Sequence, residues 1–279
     1  MNRGAGARLQ QAGSYAILLA LLLIVVFPFY WMTITSFKSE TQMRSLVSMF
    51  WPSPAVGDNY AHLLGRTEFA SWYGNSIVVA VSSTFLATAV GTIGAYALAR
   101  LRFRGRAFMA SAVLITYLVP PSILFIPLYA QIRNLGLADS LAGLIVAYPS
   151  FTVPFVTWLL MGYFESIPEE LEESAMIDGA TRFGAFWRVV LPLAAPGLLA
   201  AALYAFTQSW NEFLYALVFI TNVKLRTLPV GLSTFITGDV YGWGYLMAGA
   251  VLTTLPVIAA YIYLQRYMVK GLTAGSVKG

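Results

Sequence analysis

The sequence predicts an all-α membrane protein with six transmembrane helices, because its apolar residues occur in long blocks and charge is scarce. Of the 279 residues, 58% are hydrophobic and 10% are charged, whereas soluble domains carry about a quarter charged residues. Several apolar runs reach the roughly 20 residues that a helix needs to cross a bilayer. No alternating apolar pattern indicates a β-barrel. We expect residues 1–279 to form a single transmembrane domain.

The first apolar block, Tyr15–Thr35, follows Arg3 and Arg8 near the N-terminus. The run is longer than the apolar core of a cleaved signal peptide, and it ends in aromatic residues rather than at a small-residue cleavage site. We interpret it as a retained first transmembrane helix.

Five further apolar blocks complete the predicted bundle. Unpaired backbone polar groups are costly in lipid, so each span is expected to be helical. The predicted spans are Tyr15–Thr35, Asn75–Ala99, Phe108–Ala130, Leu141–Phe164, Pro196–Ile220 and Tyr245–Tyr267. Prolines lie inside several of them, and each proline removes a helical hydrogen bond, so broken helices are expected.

The positions of lysine and arginine orient the predicted bundle. With both termini in the cytoplasm, eleven of the 17 basic residues fall on the cytoplasmic side and the other six outside, as the positive-inside rule favours. The cluster Arg100, Arg102, Arg104 and Arg106 in one short loop carries most of this argument. We therefore predict an N-in, C-in topology.

Two of the spans, the second and the fifth, carry small residues at every fourth position. These residues are Ala87, Gly91, Ala95, Gly197, Ala201 and Ala205. Such stripes allow helices to approach each other closely. Packing within the chain is the expected role, and a contact with a partner subunit is the alternative.

The segment between the predicted fourth and fifth spans, about residues 165–190, combines acidic residues with signals for helix ends. Ser166 followed by Glu169 forms a capping-box pattern, with a proline between them, and predicts a helix start. Gly179 can adopt a left-handed conformation and end that helix, and Thr181 can cap a second one. We predict a helix–turn–helix at the cytoplasmic membrane face.

This segment resembles the EAA loop of binding-protein-dependent ABC importers. The matching string runs from Glu173 to Ala180, with Ser174 in place of the usual first alanine. Resemblance to the carbohydrate-type permeases of that family extends through the whole chain. The further matching stretches are Asn59–Tyr60, Asn75–Ser76, Tyr96–Arg100, Ile126–Tyr129, Leu191–Leu193, Trp210–Phe213, Thr227–Pro229 and Gly271–Gly279.

The resemblance implies a permease subunit of an ATP-driven sugar importer in the cell inner membrane. The implied partners are a second permease, two ATPase subunits, an extracytoplasmic solute-binding protein and membrane lipid, with no nucleic acid. This chain contains no G-x-x-x-x-G-K-[ST] motif, so ATP and magnesium are expected on the ATPase. With no cysteine and one histidine, the chain is expected to hold no metal, no cofactor and no catalytic site.

In that family the loop docks into a groove on the ATPase subunit. The resemblance gives this coupling role to Glu173, Ser174, Ala175, Asp178, Gly179 and Ala180. It also implies that the C-terminal tail reaches the ATPase, which would place Lys278 near that interface. The alternative role for the loop residues is plain helix capping and packing.

Polar side chains inside transmembrane spans are costly and mark candidate transport paths. In the predicted fifth span, Gln208, Asn211 and Glu212 combine amide and carboxylate groups with flanking aromatic rings. That combination suits a sugar, which presents both hydroxyl groups and C–H faces. Tyr117 and Asn75 are further candidates. The alternative is that Asn211 and Glu212 bond to neighbouring backbone.

Other functions fit the sequence less well. An ion-coupled secondary transporter normally carries charged residues within its spans, and Glu212 alone is little support for one. A membrane-embedded enzyme would need paired acids, histidine or cysteine in the spans, and a channel gives the Glu173–Gly179 loop no role. Within the importer family, glycerol phosphate or a polyol is the alternative solute.

Overall fold

The computed structural model describes residues 3–45, 50–237 and 240–274, and the side chains of residues 11–45, 50–236 and 242–266. Fifteen α-helices account for most of these residues, and one pair of two-residue strands is the only sheet among them. The predicted helical fold class is therefore confirmed, apart from this short strand pair.

Helices of different lengths follow each other along the described residues. The helices are α1 (Arg3–Ser36), α2 (Glu40–Arg44), α3 (Asp58–Arg66), α4 (Phe69–Arg100), α5 (Arg106–Leu118), α6 (Pro121–Asn134), α7 (Leu141–Ala147), α8 (Pro149–Ser166), α9 (Glu169–Ile177), α10 (Arg182–Ala185), α11 (Leu191–Leu193), α12 (Ala195–Trp210), α13 (Leu214–Phe219), α14 (Leu228–Ser233) and α15 (Trp243–Ala274). A π-helix, Phe186–Val190, joins α10 to α11, and a 3-10 turn spans Val223–Leu225. The strands β1 (Ile236–Thr237) and β2 (Val240–Tyr241) are antiparallel.

Four helical segments are long and apolar enough to cross a membrane. They are Gln11–Ser36, Phe69–Arg100, Leu141–Ser166 and Trp243–Arg266. Two further pairs reach this length only together: Arg106–Leu118 with Pro121–Asn134, bent by 99°, and Arg182–Leu193 with Ala195–Trp210, bent by 75°. The described residues thus contain four candidate spans, or six if each bent pair counts as one.

Two helix breaks correct two of the predicted spans: the 99° bend between α5 and α6, and a break after α12 that is separate from the 75° bend at residue 194. The expected third span, Phe108–Ala130, is divided between α5 and α6 because Pro120 and Pro121 follow the extended residue Val119 and supply no backbone N–H. The expected fifth span, Pro196–Ile220, is divided between α12 and α13 by a break at residues 211–213.

Two compact units emerge from the described residues, one within Met1–Phe69 and Leu232–Leu255 and the other within Ala70–Gly231 and Pro256–Gly279. In the first unit, the buried amide of Asn59 donates to the carbonyls of Ser36 at 2.9 Å and Lys38 at 2.8 Å. These bonds fix α3 against the end of α1.

The core of the second unit depends on the small residues that recur along α4 and α12. A Cβ added at Gly91 would lie 2.5 Å from a methyl group of Val156, and one added at Gly197 would lie 2.5 Å from the ring of Tyr163. Both close approaches involve α8. The predicted packing role of these stripes within the chain is therefore confirmed.

Candidate functional site

The segment between α8 and α12 forms the predicted helix–turn–helix, with a correction at its start. Helix α9 begins at Glu169 with Pro168 as its N-cap, and no side chain caps it. The hydroxyl of Ser166 instead donates to the carbonyl of Tyr163 at 2.7 Å, at the end of α8. The capping-box prediction was wrong because the extended residue Ile167 separates Ser166 from the first turn of α9.

Gly179 ends α9, as predicted. Its φ of +91° lies in the left-handed region, which glycine enters without the steric cost of a Cβ. The N–H of Gly179 donates to the carbonyl of Met176 at 3.1 Å, and the N–H of Ala180 donates to that of Ala175 at 3.0 Å. This pair of bonds is the Schellman arrangement, and it gives the turn a defined geometry.

Thr181 caps the second helix of the motif, also as predicted. Its hydroxyl oxygen accepts the N–H of Gly184 at 3.1 Å. Because Gly179 ends one helix and Thr181 begins the next, α9 and α10 are joined through a short hydrogen-bonded turn.

The loop presents both charge and apolar surface to the outside of this chain. Glu173, Ser174, Asp178 and Gly179 are exposed, while Ala175 and Ala180 are half-buried. Four large apolar side chains are exposed beside them and define what we call the α9–α10 face: Leu171, Ile177, Phe183 and Trp187. Ile177 is 85% exposed, which is unfavourable in water unless another surface covers it.

Glu172 differs from its neighbour Glu173 because its side chain turns inward. Its carboxylate accepts a hydrogen bond from the hydroxyl of Tyr96 and lies 3.8 Å from the Nε atom of Arg100. Arg100 also donates to the carbonyl of Ile167 and lies 3.5 Å from a carboxylate oxygen of Glu169. Sequence reasoning missed this cluster, since the only local signal is that Tyr96 and Arg100 share one face of α4.

Two of the five candidate path residues lie along one row of side chains. The rings of Tyr117 and Phe155 have centroids 5.2 Å apart, and those of Phe155 and Tyr204 are 3.9 Å apart. The amide of Gln208 donates to the hydroxyl of Tyr204 at 3.1 Å. We call Tyr117, Phe155, Tyr204 and Gln208 the aromatic row.

Asn211 and Glu212 lie at the break between α12 and α13 and bond to nearby backbone. The amide of Asn211 donates to the carbonyl of Thr207 at 2.9 Å. The carboxylate of Glu212 accepts the N–H groups of Tyr215 at 2.8 Å and Ala216 at 3.1 Å. These bonds match the backbone-binding alternative for both residues, and their role in a transport path remains a prediction.

Asn75 holds the loop after α13 rather than joining the aromatic row. Its amide donates to the carbonyls of Lys224 at 2.8 Å and Arg226 at 3.0 Å. The indole of Trp72 donates to the carbonyl of Val223 at 2.8 Å. One face of α4 therefore fixes the backbone of this loop.

The remaining predicted residue, Lys278, lies outside the described residues. Among the side chains that the structure describes, no group of three or more His, Cys, Asp or Glu is placed to hold a metal ion.

The chain is similar to known proteins over almost its whole length. A family model described as "Binding-protein-dependent transport system inner membrane component" matches residues 87–274. The chain is 37% identical over 273 residues to the inner membrane ABC transporter permease protein YcjP of Escherichia coli, covering 97% of this chain and 98% of that protein. It is 35% identical over 268 residues to the trehalose/maltose transport system permease protein MalG of Thermococcus litoralis, covering 95% of each.

A solved structure has the same fold. One chain of a bacterial ABC transporter involved in the import of the acidic polysaccharide alginate aligns with a TM-score of 0.81 at 25% identity, covering 94% of this chain and 97% of that chain. The family match spans more than half of the chain and includes the whole helix–turn–helix segment. This protein therefore belongs to the family of inner membrane components of binding-protein-dependent transport systems.

Proposed function

We propose that this chain is a permease subunit of an ATP-driven sugar importer and that residues 1–279 act as one transmembrane domain. In the proposed topology, each bent helix pair contributes to one crossing, with residues 182–193 of the second pair at the cytoplasmic membrane face, which gives six spans with both termini in the cytoplasm. The four single spans and two bent pairs support the count. The basic cluster from Arg100 to Arg106 supports the orientation, since short basic loops remain in the cytoplasm.

The α9–α10 face carries the proposal that the chain is coupled to a separate ATPase. Its apolar side chains are exposed on the elements before and after a turn that Gly179 and Thr181 hold in one geometry. An exposed apolar patch on an ordered turn is the feature expected of a surface that docks into a partner. Glu173 and Asp178 beside this patch add charge that can orient the contact.

The remaining partners follow from the family to which the chain belongs. A second permease completes the path, and an extracytoplasmic solute-binding protein delivers the solute. ATP and magnesium bind to two ATPase subunits, and this chain is a non-catalytic subunit. The family description as a component of binding-protein-dependent transport supports this assignment. We propose that the C-terminal tail with Lys278 also reaches the ATPase, which the sequence resemblance alone supports.

A sugar is the proposed solute because of the aromatic row and the names of relatives. Aromatic faces stack on the C–H faces of sugar rings, while the amide of Gln208 and the hydroxyls of Tyr117 and Tyr204 can bond to sugar hydroxyls. The similar proteins named above include a trehalose/maltose permease and an alginate importer. Glycerol phosphate or a polyol remains the alternative solute.

Association with the ATPase tests the docking role. Ile177→Asp replaces the most exposed side chain of the α9–α10 face with a charge, and we expect the purified variant to lose the ATPase subunits that accompany the wild type. Leu135→Asp is the matched control, because Leu135 is an exposed leucine in the short connection between α6 and α7. Equal ATPase recovery for both variants would contradict the docking role.

Uptake tests the solute class. Cells that lack the chromosomal copy and carry the wild-type chain should accumulate radiolabelled trehalose or maltose and not glycerol 3-phosphate. Gln208→Ala should reduce this uptake, whereas Gln131→Ala, at an exposed glutamine of α6 outside the aromatic row, should not. Uptake of glycerol 3-phosphate alone would replace the sugar proposal.

A further inference from the structure

We infer that Glu172, Tyr96 and Arg100 form a positioning cluster, which fixes helix α9 to the end of α4 so that movement of α9 is passed to this spanning helix. The inference rests on the proposed function of α9 as the docking helix. It assigns different tasks to two adjacent glutamates: Glu173 faces the partner, and Glu172 faces this chain.

The contacts join α9 to α4 at several atoms. The hydroxyl of Tyr96 donates to one carboxylate oxygen of Glu172, and the Nε atom of Arg100 lies 3.8 Å from the other. Arg100 reaches the residues before α9 as well, through the carbonyl of Ile167 and the carboxylate of Glu169 at 3.5 Å. One face of α4 thus holds both the start and the first turn of α9.

The burial of this cluster makes it unlike a surface ion pair. The side chains of Glu172 and Arg100 are 7% and 5% exposed. Surface ion pairs contribute little to stability, whereas removing one partner of a buried pair leaves the other charge without compensation. The contact is therefore sensitive to the loss of either group.

Helix α9 also lies against α10 and the π-helix, but a single buried side chain joins it to α4. Glu172 is the only buried residue of this helix, all of which the structure describes. The α9 residues on either side of it, Leu171 and Glu173, are exposed. Glu172 is therefore the one buried side chain of α9 that joins this helix to α4.

Tyr96 also contacts the elements on both sides of α9. Its ring centroid lies 6.1 Å from that of Phe164 at the end of α8 and 4.5 Å from that of Phe186 in the π-helix after α10. The hydroxyl and the ring of one residue therefore link α4 to α8, α9 and the π-helix. A displacement of the α9–α10 face by the docked ATPase would be transmitted to α4 through this residue.

The test uses the intact complex, purified from native membranes with its ATPase subunits. The chain contains no cysteine. In a complex whose other subunits have also been made cysteine-free, a spin label at Glu170→Cys, an exposed position of α9, therefore reports only on this helix. Glu172→Gln and Tyr96→Phe remove the charge and the hydroxyl with little change in shape. Glu165→Gln is the matched control, because Glu165 is half-exposed and pairs with Arg106 at 3.8 Å.

The mobility of this spin label is the first quantity measured. The second is the accessibility of the transport path from outside. In right-side-out vesicles loaded with ATP and vanadate, a membrane-impermeant maleimide is added outside to label Gln208→Cys in an otherwise cysteine-free complex. In the Gln208→Cys complex without further substitutions, we expect ATP with vanadate to change the maleimide labelling rate about tenfold, within the range of typical allosteric coupling. Glu172→Gln and Tyr96→Phe should retain the ATPase subunits and lose this response, and Arg100→Lys should restore part of it relative to Arg100→Ala.

The outcomes separate this inference from the proposed function. Greater label mobility together with a lost access response, in complexes that still contain the ATPase, supports the positioning role. Label mobility equal to that of Glu165→Gln overturns it, and so does a normal access response despite greater mobility. A wild-type chain that purifies without ATPase contradicts the proposed function instead. A wild type without an access response contradicts the placement of Gln208 in the path, and the label mobility then decides the positioning role alone.

Discussion

The carboxylate of Glu212 accepts the backbone N–H of Tyr215 at 2.8 Å. With the second bond from Ala216, Glu212 satisfies two of the backbone donors at the start of α13 that have no partner within the helix. The acidic residue that stands out in the predicted fifth span therefore restarts a helix after the break at residues 211–213.

Replacing Glu212 should reduce stability. We expect Glu212→Ala to cost about 1 kcal/mol, the usual cost of losing a helix cap, and to lower the melting temperature of the purified protein. Glu212→Gln keeps one acceptor oxygen and should cost less. Loss of sugar uptake with no change in melting temperature would contradict the capping role and would indicate that Glu212 contacts the solute.

Adding a side chain at Gly197 should disturb the packing of α12 on α8. The Cβ of Gly197→Ala would lie 2.5 Å from the ring of Tyr163, and such overpacking typically costs about 1–3 kcal/mol. Thermal unfolding in detergent should show the loss. Gly162→Ala is the control, because an added Cβ there meets nothing within 4 Å; equal melting temperatures for both variants would contradict the close approach.

Gly179→Pro should leave the protein in the membrane and abolish its association with the ATPase. The φ of Gly179 is +91°, whereas proline fixes φ near −65°, so the turn between α9 and α10 cannot form. Gly179→Ala should weaken association less, since a left-handed alanine costs about 1–2 kcal/mol. Gly57→Ala, with a φ of −94°, is the control, and retention of a full complex by Gly179→Pro would contradict the role of the turn.

Acid should weaken a loop contact that depends on Asp139. The carboxylate of Asp139 accepts the N–H groups of Asn222 at 2.9 Å and Thr221 at 2.8 Å. These two bonds hold the pKa of the Asp139 carboxyl below its ordinary value of 3.8, and the bond from Asn222 has the larger effect on the pKa. The contribution to stability is therefore fully present above that value and is lost as the pH falls through the lower pKa of the folded protein.

The corresponding measurement compares melting temperatures of the wild type and Asp139→Asn. We expect the wild type to be the more stable at pH 7. The difference should begin to shrink only below about pH 4, near the ordinary aspartate pKa, and should disappear as the pH falls through the lower pKa of folded Asp139. A difference that persists unchanged into acid would show that the charge of Asp139 does not hold the loop.

The sequence was informative where a structure depends on neighbouring residues. The apolar blocks predicted the helical membrane class, the positive φ of Gly179 followed from its place after a helix, and Thr181 capped α10 as expected. Each of these features is local. Ser166 shows the limit of such reasoning, because the right spacing to Glu169 did not make it a cap once Ile167 was extended.

The long-range contacts could not be predicted in this way. Tyr96 and Glu172 are separated by 76 residues, and nothing in the local pattern distinguishes Glu172 from Glu173. Likewise, Asn75 bonds to carbonyls about 150 residues later, and only the folded chain shows that its amide holds a loop. Side-chain partners of this kind depend on tertiary packing rather than on propensity or periodicity.

Native mass spectrometry of the chain, purified gently from its own membranes, tests whether it is a subunit of an ATP-driven importer. We expect an assembly that contains two copies of an ATPase subunit and one different permease. A lone chain or a homo-oligomer that is reproducibly free of ATPase would contradict this assignment and would favour an ion-coupled transporter.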